Sequence, residues 1–365
     1  MRAHLAGLTA AGLTPTLPRV RFIKPLSPLV ALFCASMLIL SLAPAIARAA
    51  EDVMVFVALV KERGPFMGSF LHFERTFEQN YIGDMDVILM IDGQVGTEET
   101  MMSTLRRGRV QGAMLTVPGT ATAVPEIALL MAPYLFDSFA EADFVLDNFA
   151  TESVRALFAA RGVHFIKWID SGWHIVFART PVKRPEDLTN IRMRAAGGEA
   201  ARFFLEATQA DVVPLPFNDL IPGLETGLVD GGSTNIAMYR SVGLYELAPH
   251  LTLTYHSVNP GVIMANKEWF EGLPENNQRV FEESFLPSQE LRDIVRDGDA
   301  EHLAFVKSEG IVPYTPSLSD HAQWRRAAAS THTRLIDSLG GESQSLYDQI
   351  LAGKAAFKRQ TVIAR

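Results

Sequence analysis

The chain has 365 residues, 48% of them hydrophobic and 20% charged, and this balance excludes a disordered, fibrous or low-complexity protein. The 33 basic and 41 acidic residues give a formal net charge of -8, which disfavours a nucleic-acid partner and binding to an anionic membrane surface. The single cysteine, Cys34, excludes a disulfide scaffold, a thiolate zinc cluster and an iron–sulfur centre held by this chain alone. At roughly 150 residues per domain, the length predicts two domains.

The first fifty residues have the composition of a secretory signal. They contain basic residues but no Asp or Glu, and residues 29–43 form an apolar run of 15 residues. Signal peptides have an apolar run of about 7–15 residues, whereas a transmembrane helix needs about 20. Ala47-Arg48-Ala49 supplies a small-x-small cleavage site. We therefore predict that residues 1–49 are a signal peptide and that the mature protein is periplasmic; an uncleaved membrane anchor is the alternative.

Cleavage at this site would leave an acidic mature chain without cysteine, because Cys34 lies inside the apolar run. Thiol-based catalysis is then excluded. Phe33, directly before Cys34, also argues against a lipoprotein signal. We expect no membrane insertion after cleavage.

After residue 50, strand and helix signals alternate, which is typical of an α/β fold. Short unbroken apolar runs are typical of strands buried on both faces. The predicted strands are residues 53–58, 86–92, 113–117, 163–168, 173–178, 191–195 and 212–213. Parallel α/β sheets bind ligands at the carboxyl ends of their strands, so two lobes of this kind predict a site in the cleft between them.

Helices are predicted between these strands, and the C-terminal part from about residue 275 is predicted to be mostly helical. The clearest helix begins at Thr97, because Glu98 and Glu99 in its first turn and Arg106 and Arg107 in its last match the helix dipole. The other predicted helices start near residues 70 and 140 and cover residues 151–161, 200–207 and 218–227.

The usual catalytic motifs are absent from the sequence. We find no G-x-S-x-G elbow, H-E-x-x-H helix, Walker loop or G-x-G-x-x-G fingerprint, and the histidines lack metal-ligand spacing. We therefore predict no enzyme activity, no metal and no cofactor. The rival class is a periplasmic α/β enzyme that works through Asp230 and His174, although no nucleophile–base arrangement is visible.

Five stretches in fixed order carry a resemblance to a known family. They are Gln94-Val95-Gly96 before the helix at 97–107; Ala132-Pro133-Tyr134-Leu135-Phe136; Pro185-Glu186-Asp187-Leu188 leading into Ile191-Arg192-Met193-Arg194; Pro214-Leu215-Pro216-Phe217 with Leu224-Glu225-Thr226-Gly227-Leu228-Val229-Asp230-Gly231; and Asn266-Lys267 with Leu273-Pro274. From about Glu51 to about Ala352, the chain resembles the substrate-binding proteins of tripartite ATP-independent periplasmic (TRAP) transporters, the DctP family.

The resemblance implies a two-lobed periplasmic-binding-protein-like α/β fold with a ligand cleft between the lobes and a helical C-terminal region. We expect lobe 1 to comprise residues 50–171 and about 260–299, and lobe 2 residues 172–259 and about 300–365. Pro287 falls in the family's long helix, which should be kinked or broken there.

The family's carboxylate-binding arginine corresponds to Arg194. A planar guanidinium matches a carboxylate with two parallel hydrogen bonds. We expect Arg192, two residues earlier in the same strand, to have a structural role.

Two departures from the family pattern affect the predicted ligand. His174 stands where many members have a second arginine, which makes the cleft less positive. Thr234 stands where many members of the family have another polar residue that contacts the ligand. The asparagine of the family pattern comes one position later in this chain, as Asn235. A monocarboxylate with a sizeable apolar or aromatic part then fits better than a dicarboxylate, with Trp173, Phe217 and Met238 as cleft residues.

We accordingly expect a solute-binding protein that captures a small organic acid by lobe closure and delivers it to TRAP transporter membrane subunits. The predicted ligand-binding residues are Arg194, His174, Trp173, Phe217, Thr234 and Asn235. We expect a monomer that binds no nucleic acid. A ligand-binding sensor for a receptor kinase is the other alternative.

Overall fold

One eight-stranded sheet organises the computed structural model, which describes residues 53–62 and 64–363. The predicted signal peptide at residues 1–49 lies outside the described residues. The strand order is β2-β1-β3-β8-β4-β7-β5-β6. The strands are β1 Val53–Ala58, β2 Asp86–Met90, β3 Gly112–Thr116, β4 Val163–Ala178, β5 Arg192–Ala195, β6 Asp211–Pro214, β7 Gly231–Thr234 and β8 His250–Asn266.

The sheet has two halves that share the long strands β4 and β8. In the first half, β1 pairs in parallel with β2 and β3, and β3 pairs with the C-terminal end of β8. In the second half, β5 pairs in parallel with β6 and β7, and β7 pairs with the C-terminal end of β4. Strands β4 and β8 run antiparallel through both halves.

The pairing of β4 with β8 is irregular where the two halves meet. The register shifts between Asp170 and Trp173, and Gly172 between them has a φ of 86°, which glycine adopts without steric cost. Tyr255 in β8 also has a positive φ, 41°. The two predicted strands at 163–168 and 173–178 are therefore one bulged strand, which corrects the prediction.

Helices cover the sheet and form the C-terminal region. They are α1 Met67–Asn80, α2 Glu98–Arg106, α3 Val117–Thr120, α4 Phe139–Val145, α5 Thr151–Ala159, α6 Glu199–Ala207, α7 Leu220–Glu225, α8 Ile236–Ser241, α9 Leu244–Leu247, α10 Lys267–Gly272, α11 Glu275–Glu283, α12 Ser288–Arg296, α13 Asp299–Ser308, α14 Leu318–Ala327, α15 Thr331–Leu339 and α16 Ser343–Ile363. Short 3-10 turns occur at Pro125–Met131, Pro185–Leu188, Phe217–Asp219 and Ala328–Ser330, and a π turn at Leu146–Ala150.

A cluster of phenylalanines fills the core of the first half. Phe73 of α1 stacks on Phe285 with ring centroids 4.0 Å apart and meets Phe281 edge-on at 5.6 Å. Phe56 of β1 lies 5.3 Å from Phe73 by ring centroid. These contacts fix α1 and α11 against β1, and so position the loop between β1 and α1.

The C-terminal region contains the break predicted at Pro287. Helix α11 ends at Glu283, and α12 begins directly after Pro287, which is its N-cap. A second break follows at Gly298, between α12 and α13.

The long helix α16 does not pack where the predicted lobe boundaries placed it. Lys354 of α16 pairs with Glu141 of α4 at 2.6 Å, and Gln349 accepts a hydrogen bond from Ser153 of α5 at 2.7 Å. Helix α16 therefore belongs with residues assigned to lobe 1, whereas the prediction put residues 300–365 in lobe 2.

A network of ion pairs ties α12 to the place where the halves meet. Arg296 pairs with Asp170 of β4 at 2.6 Å and with Asp143 of α4 at 2.6 Å. One turn earlier, Arg292 pairs with Asp147 at 2.7 Å. The side chains of Asp170 and Arg296 are 3% and 13% exposed, so this network is a largely buried connection between α12, α4 and β4.

Candidate ligand-binding site

A cavity of about 630 Å³ lies where the two halves of the sheet meet. The loops after β1, β3, β5 and β7 line it, together with residues at the irregular part of β4 and β8. Its apolar lining consists of Leu59, Val60, Pro65, Phe66, Met114, Leu115, Pro118, Ile169, Ala196, Phe217, Ala237, Met238 and Val295. Its polar lining includes Lys61, Glu98, Thr116, Ser171, His174, Arg194, Ser233, Thr234, Asn235, Arg240, Ser241, Asn259 and His302.

Arg194 is the central cation of the cavity. Strand β5 carries it into the interior, where the residue is only 5% exposed. Its Nε donates a hydrogen bond of 2.8 Å to the carbonyl oxygen of Leu215, and its guanidinium carbon lies 5.6 Å from the ring centroid of Phe217. Within the described ranges, no carboxylate forms an ion pair with Arg194 and no protein acceptor binds its two terminal nitrogens.

Burial dominates the electrostatics of this guanidinium. It lowers the pKa of Arg194 to about 10, while the nearby carboxylates of Glu98 and Glu99 act in the opposite direction. Arg194 therefore stays charged at neutral pH. A buried charge without a paired counter-ion is costly, and an anionic ligand removes that cost.

His174 lies on the same wall, carried by β4. Burial, with a further contribution from the charge of Arg194, lowers the pKa of His174 to about 3. The ring is therefore neutral at physiological pH. Behind it, His256 has its ring centroid 6.1 Å away and stacks on Phe204 at 4.3 Å.

Thr234 and Asn235 lie at the carboxyl end of β7 and line the cavity. Asn235 is the N-cap of α8, because its Oδ1 accepts a hydrogen bond of 2.7 Å from the amide of Met238. This bond fixes the side chain of Asn235. It leaves the side-chain nitrogen, Nδ2, without a protein partner among the described residues. Both residues are about 95% buried, at 5% and 6% exposure.

The remaining predicted residues divide between the cavity and the core. Phe217 lines the cavity, as does Met238. Trp173 does not: its ring lies 5.4 Å from Phe139 and 6.5 Å from Tyr255, by ring centroid. Successive side chains of a strand point to opposite faces, so the same strand that turns His174 into the cavity turns Trp173 away from it.

Glu98 and Asn259 are among the cavity residues that were not predicted from the sequence. Glu98, in the first turn of α2, accepts hydrogen bonds of 2.7 Å from the amide and from the hydroxyl of Thr116. Asn259 of β8 is 5% exposed, and its Oδ1 is buried without a hydrogen-bond partner. Glu98 follows the loop after β2, at the edge where α/β proteins bind ligands, and this position could have indicated it.

The residues of the rival enzyme hypothesis are not brought together. Asp230 pairs with Arg192 through Nε at 2.8 Å and is not among the residues that line the cavity. In the described part of the chain, no group of three or more His, Cys, Asp or Glu side chains could hold a metal ion.

Residues 56–338 match the DctP family, described as bacterial extracellular solute-binding protein, family 7. The chain is 27% identical over 284 residues to the ectoine-binding periplasmic protein TeaA of Halomonas elongata, an alignment that covers 74% of this chain and 81% of TeaA. It is 26% identical over 241 residues to the 2,3-diketo-L-gulonate-binding periplasmic protein YiaO of Escherichia coli, covering 66% and 74%.

The fold is shared with the sugar acid binding protein DctPAm of Advenella mimigardefordensis, solved in complex with galactonate. The TM-score is 0.77 at 24% sequence identity, and the match covers 82% of this chain and 98% of that one. None of the helices in the described part of the chain is long and apolar enough to cross a membrane. The matches confirm the predicted two-lobed α/β fold and periplasmic location. The chain therefore belongs to the DctP family of bacterial extracellular solute-binding proteins, the periplasmic components of TRAP transporters.

Proposed function

We propose that the protein captures a small organic acid in the periplasm, with the carboxylate bound by Arg194, and delivers it to the membrane component of a TRAP transporter. The observation that carries this proposal is the buried guanidinium of Arg194, which lines the cavity and forms no ion pair with a described residue. Its two terminal nitrogens can donate parallel hydrogen bonds to a carboxylate, each worth about 1.5–3 kcal/mol.

The groups around Arg194 suit one carboxylate. His174 is neutral and can donate one hydrogen bond, while Thr234 and the amide nitrogen of Asn235 supply further donors from the same wall. Phe217 covers the guanidinium and adds a cation–π contact. Of the described arginines that line the cavity, Arg240 is paired with Glu301, so a second carboxylate would find no unpaired arginine among them.

The rest of the ligand meets apolar surface. Phe66, Met114, Met238 and Val295 line the cavity, whose volume is within the range of about 300–1,000 Å³ that is usual for small-molecule sites. The relatives are named for binding ectoine and 2,3-diketo-L-gulonate, and the solved neighbour holds galactonate. These are all small carboxylates, which supports the same ligand class here.

Capture by closure requires that the two halves of the sheet move as lobes. We place the hinge at the register shift between Asp170 and Trp173 of β4 and at the facing part of β8. A ligand that contacts both halves stabilises the closed form, and a shift from 1% to 99% closed needs about 5.5 kcal/mol of preference for it.

The proposal treats the protein as a monomeric binding protein with no enzyme activity and no nucleic-acid partner. A sensor that reports to a receptor kinase would use the same cavity. Stimulation of uptake by the cognate membrane subunits in proteoliposomes favours transport, and its absence together with kinase activation favours the sensor.

A thermal-shift screen of purified protein over organic acids, including keto, aromatic and sugar acids, tests the ligand class, with hits measured by calorimetry. Arg194→Ala should weaken binding of each hit by at least about 100-fold. Arg192→Ala is the matched control, because Arg192 lies two residues away at the exposed start of β5 and pairs with Asp230. Equal affinity of Arg194→Ala and wild type would refute the role of Arg194, and turnover of a hit detected by NMR would favour an enzyme.

A further inference from the structure

Among the described residues, one anion and one cation line the cavity without an ion-pair partner. Lys61 and Arg240, which also line it, are paired with Asp92 and Glu301. Arg194 and Glu98 have no ion-pair partner in the described ranges, and they form none with each other. We propose that the ligand is a zwitterion, whose carboxylate binds Arg194 and whose cationic N–H group binds Glu98. This proposal rests on the carboxylate site proposed above.

The position of Glu98 is fixed before any ligand binds. Each of its carboxylate oxygens accepts one hydrogen bond from Thr116, and a carboxylate oxygen can accept two. Each oxygen therefore keeps capacity for a ligand donor. Gly119 lies directly against this side chain, since a Cβ at that position would be 2.3 Å from the Cβ of Glu98.

The anion and the cation lie on opposite halves of the sheet. Glu98 is held by Thr116 at the end of β3, in the first half, whereas Arg194 is on β5, in the second half. A molecule that carries both charges can bind the two groups at once. Such a ligand would connect the halves through two charged contacts, which is the kind of contact that favours closure.

Asn259 supplies an independent observation in support of a donor-bearing ligand. It lines the cavity, is 5% exposed, and has a buried Oδ1 without a hydrogen-bond partner. The register of β3 with β8 pairs Thr116 with Gly261, so Asn259 lies two residues along β8 from the strand partner of Thr116. An ammonium or amidinium group has several N–H donors, enough to serve the Glu98 carboxylate and the Asn259 oxygen together.

Charge balance also distinguishes a zwitterion from a dianion. Burial raises the pKa of Glu98, with the hydrogen bonds from Thr116 acting in the opposite direction. A ligand cation beside Glu98 would therefore offset the free-energy cost of burying its carboxylate charge. A second carboxylate would instead be repelled by Glu98. Glu99 lines the adjoining small recess and does not line the cavity itself.

Calorimetry with matched probes tests the proposal. One set has a common chain with a different end group: 4-aminobutyrate, pentanoate and glutarate. A second set compares piperidine-4-carboxylate with cyclohexanecarboxylate. We expect the zwitterion in at least one set to bind about tenfold or more tightly than its uncharged isostere, and glutarate to bind weakest. Glu98→Gln should abolish the preference, while Glu99→Gln, the same change at the next residue but outside the cavity, should keep it.

The outcomes separate this inference from the proposed function. If pentanoate or cyclohexanecarboxylate binds as tightly as its zwitterionic partner, or if Glu98→Gln keeps the preference, the proposal of a zwitterionic ligand is wrong. The proposed carboxylate site at Arg194 is not affected by that result. If none of the probes binds and the screen yields only acids without a cationic group, the zwitterion is likewise wrong. If no acid of any kind binds, the proposed function fails as well. The wild-type affinity ratios remain decisive even if Glu98→Gln does not fold.

Discussion

Nε of Arg194 donates a hydrogen bond of 2.8 Å to the carbonyl oxygen of Leu215. This bond anchors the guanidinium to the segment after β6 and leaves its two terminal nitrogens directed to a ligand. A lysine ammonium is a single charged point that cannot hold this anchor and also donate two parallel hydrogen bonds. Arg194→Lys should therefore fold normally and still lose at least about tenfold in affinity for an organic acid, measured by calorimetry. Wild-type affinity in the lysine variant would show that a positive charge at position 194 is sufficient to bind the acid, without the geometry of the guanidinium.

Because His174 is buried, we expect the stability of the folded protein to fall at acidic pH. Its pKa falls from an ordinary 6.5 to about 3 because of burial, so above pH 6.5 the ring is neutral in both the folded and unfolded states. Below pH 6.5 the unfolded state binds a proton that the folded state does not, and stability falls as the pH falls toward 3.

The measurement is the free energy of unfolding in denaturant between pH 7.5 and 4.5. His174→Gln should reduce the loss of stability across this range by on the order of 2 kcal/mol. His256, whose pKa burial also lowers, should contribute with the same sign. Identical pH dependence in wild type and His174→Gln would contradict this account.

Much of the fold could be predicted because local signals and tertiary structure agree. Apolar runs marked the parallel strands, and Thr97 caps α2 by accepting from the amide of Thr100. Strand β8 was missed because its first part is rich in polar residues such as His250, Thr252 and Thr254. Thr252 and Thr254 are fully buried, an environment that only pairing with β4 and the covering helices creates.

The site could be predicted in part for a similar reason. A motif identified Arg194, and its side chain lines the cavity. Strand alternation separates Trp173 from His174, but the bulge at Gly172 sets which of the two faces inward, and a bulge is difficult to read from sequence. No sequence pattern indicated that Asn259 lines the cavity, because its position there depends on the register of β8 with β3.

The ion pairs of Arg296 predict a large effect of one substitution. Arg296→Met leaves Asp170, whose side chain is 3% exposed, as a buried carboxylate without its partner, and should lower the free energy of unfolding by about 3–5 kcal/mol. Arg325→Met is the control, because Arg325 and Asp137 are 42% and 48% exposed, and should cost about 0–1 kcal/mol. Denaturant unfolding compares the two, and similar losses would mean that the Arg296 network is not a stabilising connection.

Asp299, at the start of α13, predicts the opposite pH dependence. Burial and the charge of Asp170 raise its pKa from 3.8 to about 6, against the effect of Arg296, and its Oδ1 is buried without a hydrogen-bond partner. Between these values the folded state binds the extra proton, so this residue's contribution to stability declines as the pH rises through 6. Asp299→Asn stays neutral and should exceed wild type by about 1–2 kcal/mol at pH 7.5 and match it near pH 4. If the asparagine variant is less stable at pH 7.5, the ionised carboxylate has a partner that this structure does not contain.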